Sequence, residues 1–121
     1  MFQKRICVVV GGAKGKGRDL VEKYAGRSYD IALMDTDKEA GNLLKEKVEK
    51  NYGRRVFFFH GDADSEEDLE LFAGAVIGQY RKVDCIYYRT DIAKRVEEIE
   101  YLLEGHVKNK GIVENFLQVQ Y

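Results

Sequence analysis

Short apolar runs alternate with longer amphipathic stretches along most of the chain. The apolar runs are continuous, which is typical of parallel strands that are covered on both faces. The stretches between them repeat apolar residues at helical spacing. The pattern predicts strands at residues 5–10, 30–34, 56–59 and 83–88, each followed by a helix.

The helices are predicted over residues 17–25 and 38–51, and then after Ser65, whose hydroxyl suits a helix cap. Four apolar side chains of the second helix are expected on one face: Ala40, Leu43, Leu44 and Val48. From Ile92 the pattern is helical nearly to the end, with Val113 among its apolar positions. This strict alternation predicts an α/β fold with a parallel sheet of about four strands, right-handed crossovers and helices on both faces.

Composition and charge mainly exclude other classes of protein: multidomain chains, nucleic-acid or membrane binders that act through net charge, and membrane-spanning proteins. The chain has 121 residues, and no linker or repeat interrupts it, so we expect a single domain over residues 1–121. With 20 basic and 21 acidic residues, the net charge of −1 gives no long-range attraction to nucleic acid or to an anionic membrane. No apolar stretch approaches the ~20 residues that span a bilayer, and no signal peptide is recognised, so we expect a cytoplasmic protein.

Residue types that often carry chemistry have simpler interpretations in this chain. Cys7 and Cys85 lie in predicted neighbouring strands, and we interpret them as small buried residues of a reducing compartment, with a disulfide as the alternative. His60 and His106 have no partners at metal-ligand spacing, so no metal site is predicted. The many tyrosines and phenylalanines fall mostly in strands or at helix-core positions and are assigned to packing.

A glycine-rich run follows the first predicted strand directly. A strand, closely spaced glycines and a helix are the context in which a Rossmann-type fold binds the pyrophosphate of a dinucleotide. Gly11 permits the turn out of the strand, Gly15 lets the backbone approach a phosphate, and Gly17 lets the helix pack on the strand. The helix N-terminus then presents N–H groups to the anion. The sequence therefore predicts a three-layer Rossmann-type fold with strand order 3-2-1-4.

Asp35, at the end of the second predicted strand, bears on the choice of cofactor. In this fold an acidic residue there accepts hydrogen bonds from the adenosine ribose and repels a 2′-phosphate, which favours NAD. Lys14, inside the glycine loop, favours NADP, because its ammonium pairs with such a phosphate. Lys14 and Asp35 pairing with each other is a further alternative. We give Asp35 more weight and predict NAD, with NADP as the alternative.

Nearly the whole chain resembles the short-chain dehydrogenase/reductase family. Residues 10–17 are similar to its TGxxxGxG loop, residues 34–41 to its second strand and helix start, and residues 61–64 to its Asp-Val-x-Asp segment. Residues 83–87 resemble the strand before its NNAG motif, and residues 107–111 its VNLKG segment. The resemblance implies that Asp62 meets the adenine ring. The cofactor-binding residues that we expect are Gly11, Ala13, Lys14, Gly15, Lys16, Gly17, Asp35, Thr36, Asp62 and Ala63.

The catalytic motifs of that family are not matched. Its NNAG motif would fall on residues 88–91, where no residue agrees, and its catalytic asparagine would be Lys108. No tyrosine in the chain is followed by a lysine four residues on, and the family's serine and Tyr-x-x-x-Lys pair would come after Tyr121. We therefore predict no catalytic residue in this chain and little or no oxidoreductase activity of its own, since that chemistry needs a positioned acid.

Three interpretations of function remain open. The first is a short-chain dehydrogenase/reductase homologue that keeps a dinucleotide half-site. The second is a non-catalytic interaction or regulatory protein whose nucleotide site has decayed. The third is a subunit whose catalytic residues come from a partner chain. We also expect the fourth strand to be an open edge of the sheet, and a homodimer to bury that edge or the last helix.

Overall fold

The computed structural model describes residues 4–88 and 113–115. Strands and helices alternate in this part of the chain up to β4. The elements are β1 (Arg5–Val10), α1 (Gly15–Gly26), β2 (Tyr29–Asp35), α2 (Lys38–Tyr52), β3 (Val56–His60), α3 (Glu66–Tyr80), β4 (Cys85–Tyr88) and β5 (Val113–Asn115).

The strands form one parallel sheet in the order β3-β2-β1-β4-β5. The central strand β1 pairs with β2 along its whole length, from Arg5 opposite Tyr29 to Val10 opposite Met34. The predicted order 3-2-1-4 is confirmed. Because all strands are parallel, the loops that follow β1, β2 and β3 leave the sheet at the same edge, and this edge carries the candidate site.

Helices cover both faces of the sheet, as predicted. Alternate residues of β1 divide between two cores, with Val8 facing the helix α3 and Val9 facing the helices α1 and α2. The first core joins β1 and β2 to Leu69, Phe72 and Val76 of α3. Because side chains of a strand alternate between its two faces, a continuous apolar strand is needed to fill both cores.

β5 corrects the expectation of an open β4 edge. Val113, predicted within a helix, begins a three-residue strand, and this strand pairs with β4 from Ile86 opposite Val113 to Tyr88 opposite Asn115. Three residues are too few for periodicity to separate a strand from a helix, which is why the prediction was wrong. β4 is therefore not an open edge of the sheet, and the predicted homodimer, through this edge or the last helix, stays a prediction. The other residues of the predicted last helix, 92–112 and 116–121, lie outside the described residues.

The apolar face of α2 differs from the prediction at one position. Leu44 and Val48 are buried, but the side chain of Leu43 is 60% exposed. Gly41 lies on the inward face instead, and the ring of Phe58 occupies the place where its Cβ would be. A periodicity search for large apolar residues misses such a glycine. Among residues 4–88 and 113–115, no helix combines the length and the apolar character that crossing a bilayer requires.

Cys7 and Cys85 lie opposite each other on β1 and β4. Both are buried and both are free thiols, which agrees with their interpretation as small core residues. Burial, followed by a hydrogen bond with the Cys85 thiol, raises the pKa of Cys7, so it remains protonated.

Candidate functional site

The turn from β1 into α1 needs glycine at two positions. Gly11 has a φ of +81° and Gly15 a φ of +60°, in the left-handed region that residues with a Cβ rarely adopt. The N–H of Gly11 donates to the carbonyl oxygen of Met34 at 2.6 Å, which fixes the start of the turn against β2. The loop is thus held on the sheet before the helix begins.

Gly17 brings α1 directly against this loop, as the sequence predicts. A Cβ at Gly17 would collide with the Cα of Gly12 and would lie 2.8 Å from the carbonyl oxygen of Gly11. Both are backbone atoms, which cannot turn away as a flexible side chain can. Helix and loop therefore approach each other as closely as their backbones allow.

The N-terminus of α1 lacks the side-chain cap of the other two described helices. Asp37 accepts a hydrogen bond from the N–H of Ala40 at the start of α2, and Ser65 accepts one at the start of α3. Lys14 occupies the equivalent position of α1 without such a bond, and the first turn of α1 holds no acidic residue. The first N–H groups of a helix lack intrahelical acceptors, so this end of α1 is suited to an anion.

The carboxylate of Asp35 is part of the framework of the loop. It is 5% exposed, its Oδ2 accepts from the N–H of Ala13 at 3.0 Å, and its Oδ1 accepts from the N–H of Asp37 at 2.9 Å. These two bonds tie the glycine loop and the start of α2 to the end of β2. A carboxylate oxygen has two acceptor positions, so each keeps one for another donor. The sequence pattern indicated Asp35 as a site residue but did not indicate this structural role.

Lys14 pairs with Asp37, not with Asp35 as the alternative interpretation had it. Its Nζ lies 3.0 Å from Asp37 Oδ2. The N–H of Ala40, followed by the Lys14 ammonium, lowers the pKa of Asp37, which is therefore ionised near neutral pH. Asp37 was missed as a site residue, although its position directly before the predicted helix at Lys38 is a signal for an N-cap.

The end of β3 lies beside the end of β2. His60 is opposite Asp35 in the sheet, and its Nε2 is 3.0 Å from the carbonyl oxygen of Thr36. The N–H of Gly61 donates to the carbonyl oxygen of Asp35 at 3.1 Å. Thr36, which is exposed, is therefore brought next to the loop that carries Asp62.

Asp62 and Ala63 differ in their surroundings. Asp62 is exposed, and its carboxylate accepts from the N–H of Asp64 at 2.8 Å, while its own N–H donates to Asp68 at 2.9 Å. Ala63 is 8% exposed and packs in the core beneath α3. Asp62 therefore lies at the surface of this edge, and Ala63 supports it from below.

All ten predicted cofactor residues lie at one edge of the sheet. They belong to the loop after β1 and the first turn of α1, to the end of β2 and the residue that follows it, and to the loop after β3. Lys16 and Gly15 are half-buried, and Lys14 is exposed. Residues 89–91, where the sequence departs from the family motif, lie outside the described residues. Within the part that the structure describes, no three histidine, cysteine or acidic side chains gather where they could hold a metal ion.

A model of the family described as short chain dehydrogenase matches residues 5–110. This span includes the glycine loop, Asp35 and Asp62, and it covers most of the chain. The chain belongs to the short-chain dehydrogenase family.

Curated members of the short-chain dehydrogenase family match at low identity. Sorbitol-6-phosphate 2-dehydrogenase of Escherichia coli is 26% identical over 91 residues, which are 74% of this chain and 35% of that enzyme. The 3-beta-hydroxysteroid dehydrogenase of Comamonas testosteroni is 32% identical over 75 residues, 62% of this chain and 28% of that enzyme. The chain thus spans about a third of the length of the relatives that it matches.

Solved structures show the same fold. The alcohol dehydrogenase of Thermococcus sibiricus in complex with 5-hydroxy-NADP superimposes with a TM-score of 0.68 at 22% identity, over 70% of this chain and 36% of that one. An NAD⁺-bound xylitol dehydrogenase gives 0.65 at 24% identity, over 69% and 32%. Solved proteins of this fold thus include one in complex with 5-hydroxy-NADP and one bound to NAD⁺.

Proposed function

We propose that this short-chain dehydrogenase homologue binds an NAD-type dinucleotide at the edge formed by the loops after β1, β2 and β3. The observation that carries the proposal is the hydrogen bond from Ala13 to Asp35. It joins the glycine loop, which leads into the uncapped N-terminus of α1, to an acidic residue that keeps acceptor positions for ribose hydroxyls. A phosphate group and a ribose then have complementary partners on neighbouring loops.

The charges beside Asp35 favour NAD over NADP in this proposal. Asp35 and Asp37 are two carboxylates within the same short segment, and the pKa of Asp37 is lowered by Ala40 and Lys14. The Lys14 ammonium, which would otherwise favour a 2′-phosphate, already lies 3.0 Å from Asp37. A 2′-phosphate would have to compete with that carboxylate for Lys14 and also approach Asp35, and both effects disfavour it.

Catalysis by the chain on its own is not part of the proposal. The 121 residues contain no tyrosine followed by a lysine four residues on, so the acid–base pair of the family mechanism has no counterpart here. Similar proteins include enzymes named for sugar phosphates and for steroids, so they point to no common substrate. We expect cofactor binding without hydride transfer when only this chain is present.

Calorimetric titration with NADH and NADPH at low salt tests the proposal. Wild-type protein is expected to bind NADH more tightly than NADPH. Asp37→Asn removes the carboxylate partner of Lys14 and keeps the cap of α2, because asparagine caps a helix as well as aspartate does. It should improve NADPH binding relative to NADH by about tenfold, the effect of one charge-assisted hydrogen bond. Lys14→Gln should change the ratio in the opposite direction.

Lys50→Gln, an exposed lysine at the end of α2, is the matched control and should leave both affinities unchanged. Tighter binding of NADPH by the wild type, lost in Lys14→Gln, would assign the deciding contact to Lys14 and overturn the preference for NAD. Absence of binding of either cofactor at millimolar concentration would overturn the proposal and favour an interaction protein with a decayed site.

A further inference from the structure

A separate cavity lies at the opposite edge of the sheet. It has a volume of about 230 Å³ and is lined by Lys4, Ile6, Gln79, Tyr80 and Lys82. These residues belong to the start of β1, the end of α3 and the turn into β4. The six residues of β1 separate it from the glycine loop by roughly 20 Å, since a strand rises about 3.3 Å per residue.

Tyr80 supplies a hydroxyl donor to this cavity. Gln79 Nε2 donates to the Tyr80 oxygen at 3.3 Å, so the phenolic proton is not used in that bond. Burial, followed by the charge of Asp30, raises the pKa of Tyr80 to about 12. The phenol therefore stays protonated at neutral pH and remains a donor.

The two lysines differ in how firmly they are held. Lys4 Nζ is 3.9 Å from Asp30 Oδ2, at the outer limit of an ion pair, whereas Arg54 Nη2 is 2.9 Å from Asp30 Oδ1. Arg54 is thus the main ion-pair partner of Asp30. Because Lys4 contributes little to that pair, its ammonium can turn toward a ligand. Lys82 is exposed and forms no ion pair with the other described residues.

Negative charge near the cavity is smaller than the positive charge. Asp84 is buried, and its carboxylate accepts from the N–H of Ile6 at 2.8 Å. The C-terminus of α3 adds a partial negative charge of roughly one half. Lys4 and Lys82 line the cavity and provide two positive charges, whereas the charge of Asp30 is paired with Arg54. The remaining charge is positive, which favours an anionic ligand.

We propose that this cavity binds a phosphate monoester, with Lys4 and Lys82 pairing with the phosphate and the Tyr80 hydroxyl and the Gln79 amide donating to its oxygens. The volume exceeds that of a phosphate ion and leaves space for a small organic group beside Ile6. Dinucleotides are much larger than the cavity, so they are not its ligand. The inference stands independently of the proposed function.

Titrations followed by NMR, with inorganic phosphate, glycerol 3-phosphate and uncharged glycerol as ligands at low salt, test the proposal. Both phosphates should shift the amide signals of Gln79, Tyr80 and Lys82, and glycerol 3-phosphate should bind more tightly than phosphate. Lys82→Gln should weaken binding of either at least tenfold. Lys82 is exposed, so this variant keeps the fold, whereas Lys50→Gln on α2 is a control that should bind as the wild type does.

The outcomes separate this site from the cofactor site. Binding that persists in the presence of saturating NADH, or in a chain that does not bind NADH at all, supports the proposal. Phosphate binding that survives in Lys82→Gln and is displaced by NADH would place the anion at the start of α1 and overturn it. Equal shifts with glycerol, or none with either phosphate at millimolar concentration, would also overturn it. Tighter binding of inorganic phosphate than of glycerol 3-phosphate would overturn the assignment of a phosphate monoester.

Discussion

At the residue scale, Asp35 links the structure of the site to its proposed function. Its carboxylate is buried and accepts two backbone N–H bonds, from Ala13 and Asp37. Charged acceptors make stronger hydrogen bonds than neutral ones, so these contacts hold the glycine loop in place before any ligand arrives. The same group carries the expected ribose contact, so loop geometry and cofactor binding depend on one side chain.

Asp35→Asn is expected to lower the free energy of unfolding by about 1–3 kcal/mol. The oxygen of the asparagine amide can accept only one of the two backbone N–H bonds, and the NH₂ group of the amide then faces the other N–H donor. The measurement is chemical denaturation of both proteins. Asp19→Asn, an exposed position on α1, is the control and should change stability by less than about 0.5 kcal/mol. Equal stability of wild type and Asp35→Asn would contradict the structural role.

At the element scale, the contact between α1 and the glycine loop sets the geometry of the site. Gly17 faces the backbone of Gly11 and Gly12 with no room for a Cβ. The helix therefore begins directly over the loop, and its N-terminal N–H groups lie at the carboxyl edge of β1. Any residue larger than glycine at position 17 must move the whole helix.

Gly17→Ala is expected to destabilise the fold by about 1–3 kcal/mol through this overpacking. Gly74→Ala is a matched control, since Gly74 lies within α3 and a Cβ there meets nothing within 4 Å. Alanine favours a helix over glycine by roughly 0.5–1 kcal/mol, so Gly74→Ala should stabilise. Thermal unfolding of the two variants gives opposite shifts in Tm, and a shift of the same sign in both would contradict the packing argument.

The sequence predicted these elements well where local patterns determine them. Continuous apolar strands and turn glycines follow from short-range rules, so the strands and the glycine loop were recognised. The strand order and Asp35 were recognised from the Rossmann-type pattern that these segments form together. The Lys14–Asp37 pair was not, because pairing depends on how two loops meet in space. Val113 was misassigned for a similar reason, since its strand exists through pairing with β4. Leu43 was placed inward because Gly41, which packs under Phe58, carries no apolar signal.

At the scale of the whole molecule, the two edges of the sheet differ in chemistry. The carboxyl edge carries the glycine loop, the uncapped α1 and two carboxylates, which suit a dinucleotide. The amino edge carries the cavity between Lys4 and Lys82. A parallel sheet places these edges a full strand apart, so we expect that ligands at the two proposed sites would not touch and that substitutions at one would leave the other able to bind.

If a dinucleotide binds at the carboxyl edge, NADH should change the amide chemical shifts of the residues at that edge, and an NMR titration measures these changes. The full 121-residue chain is titrated with NADH at low salt, and each backbone N–H signal is followed. We expect the largest shifts at Ala13, Gly15 and Gly17, smaller ones at Asp37 and Asp62, and none at the cavity on the amino edge. Shifts confined to that cavity, or no shift at millimolar NADH, would rule out dinucleotide binding at the carboxyl edge.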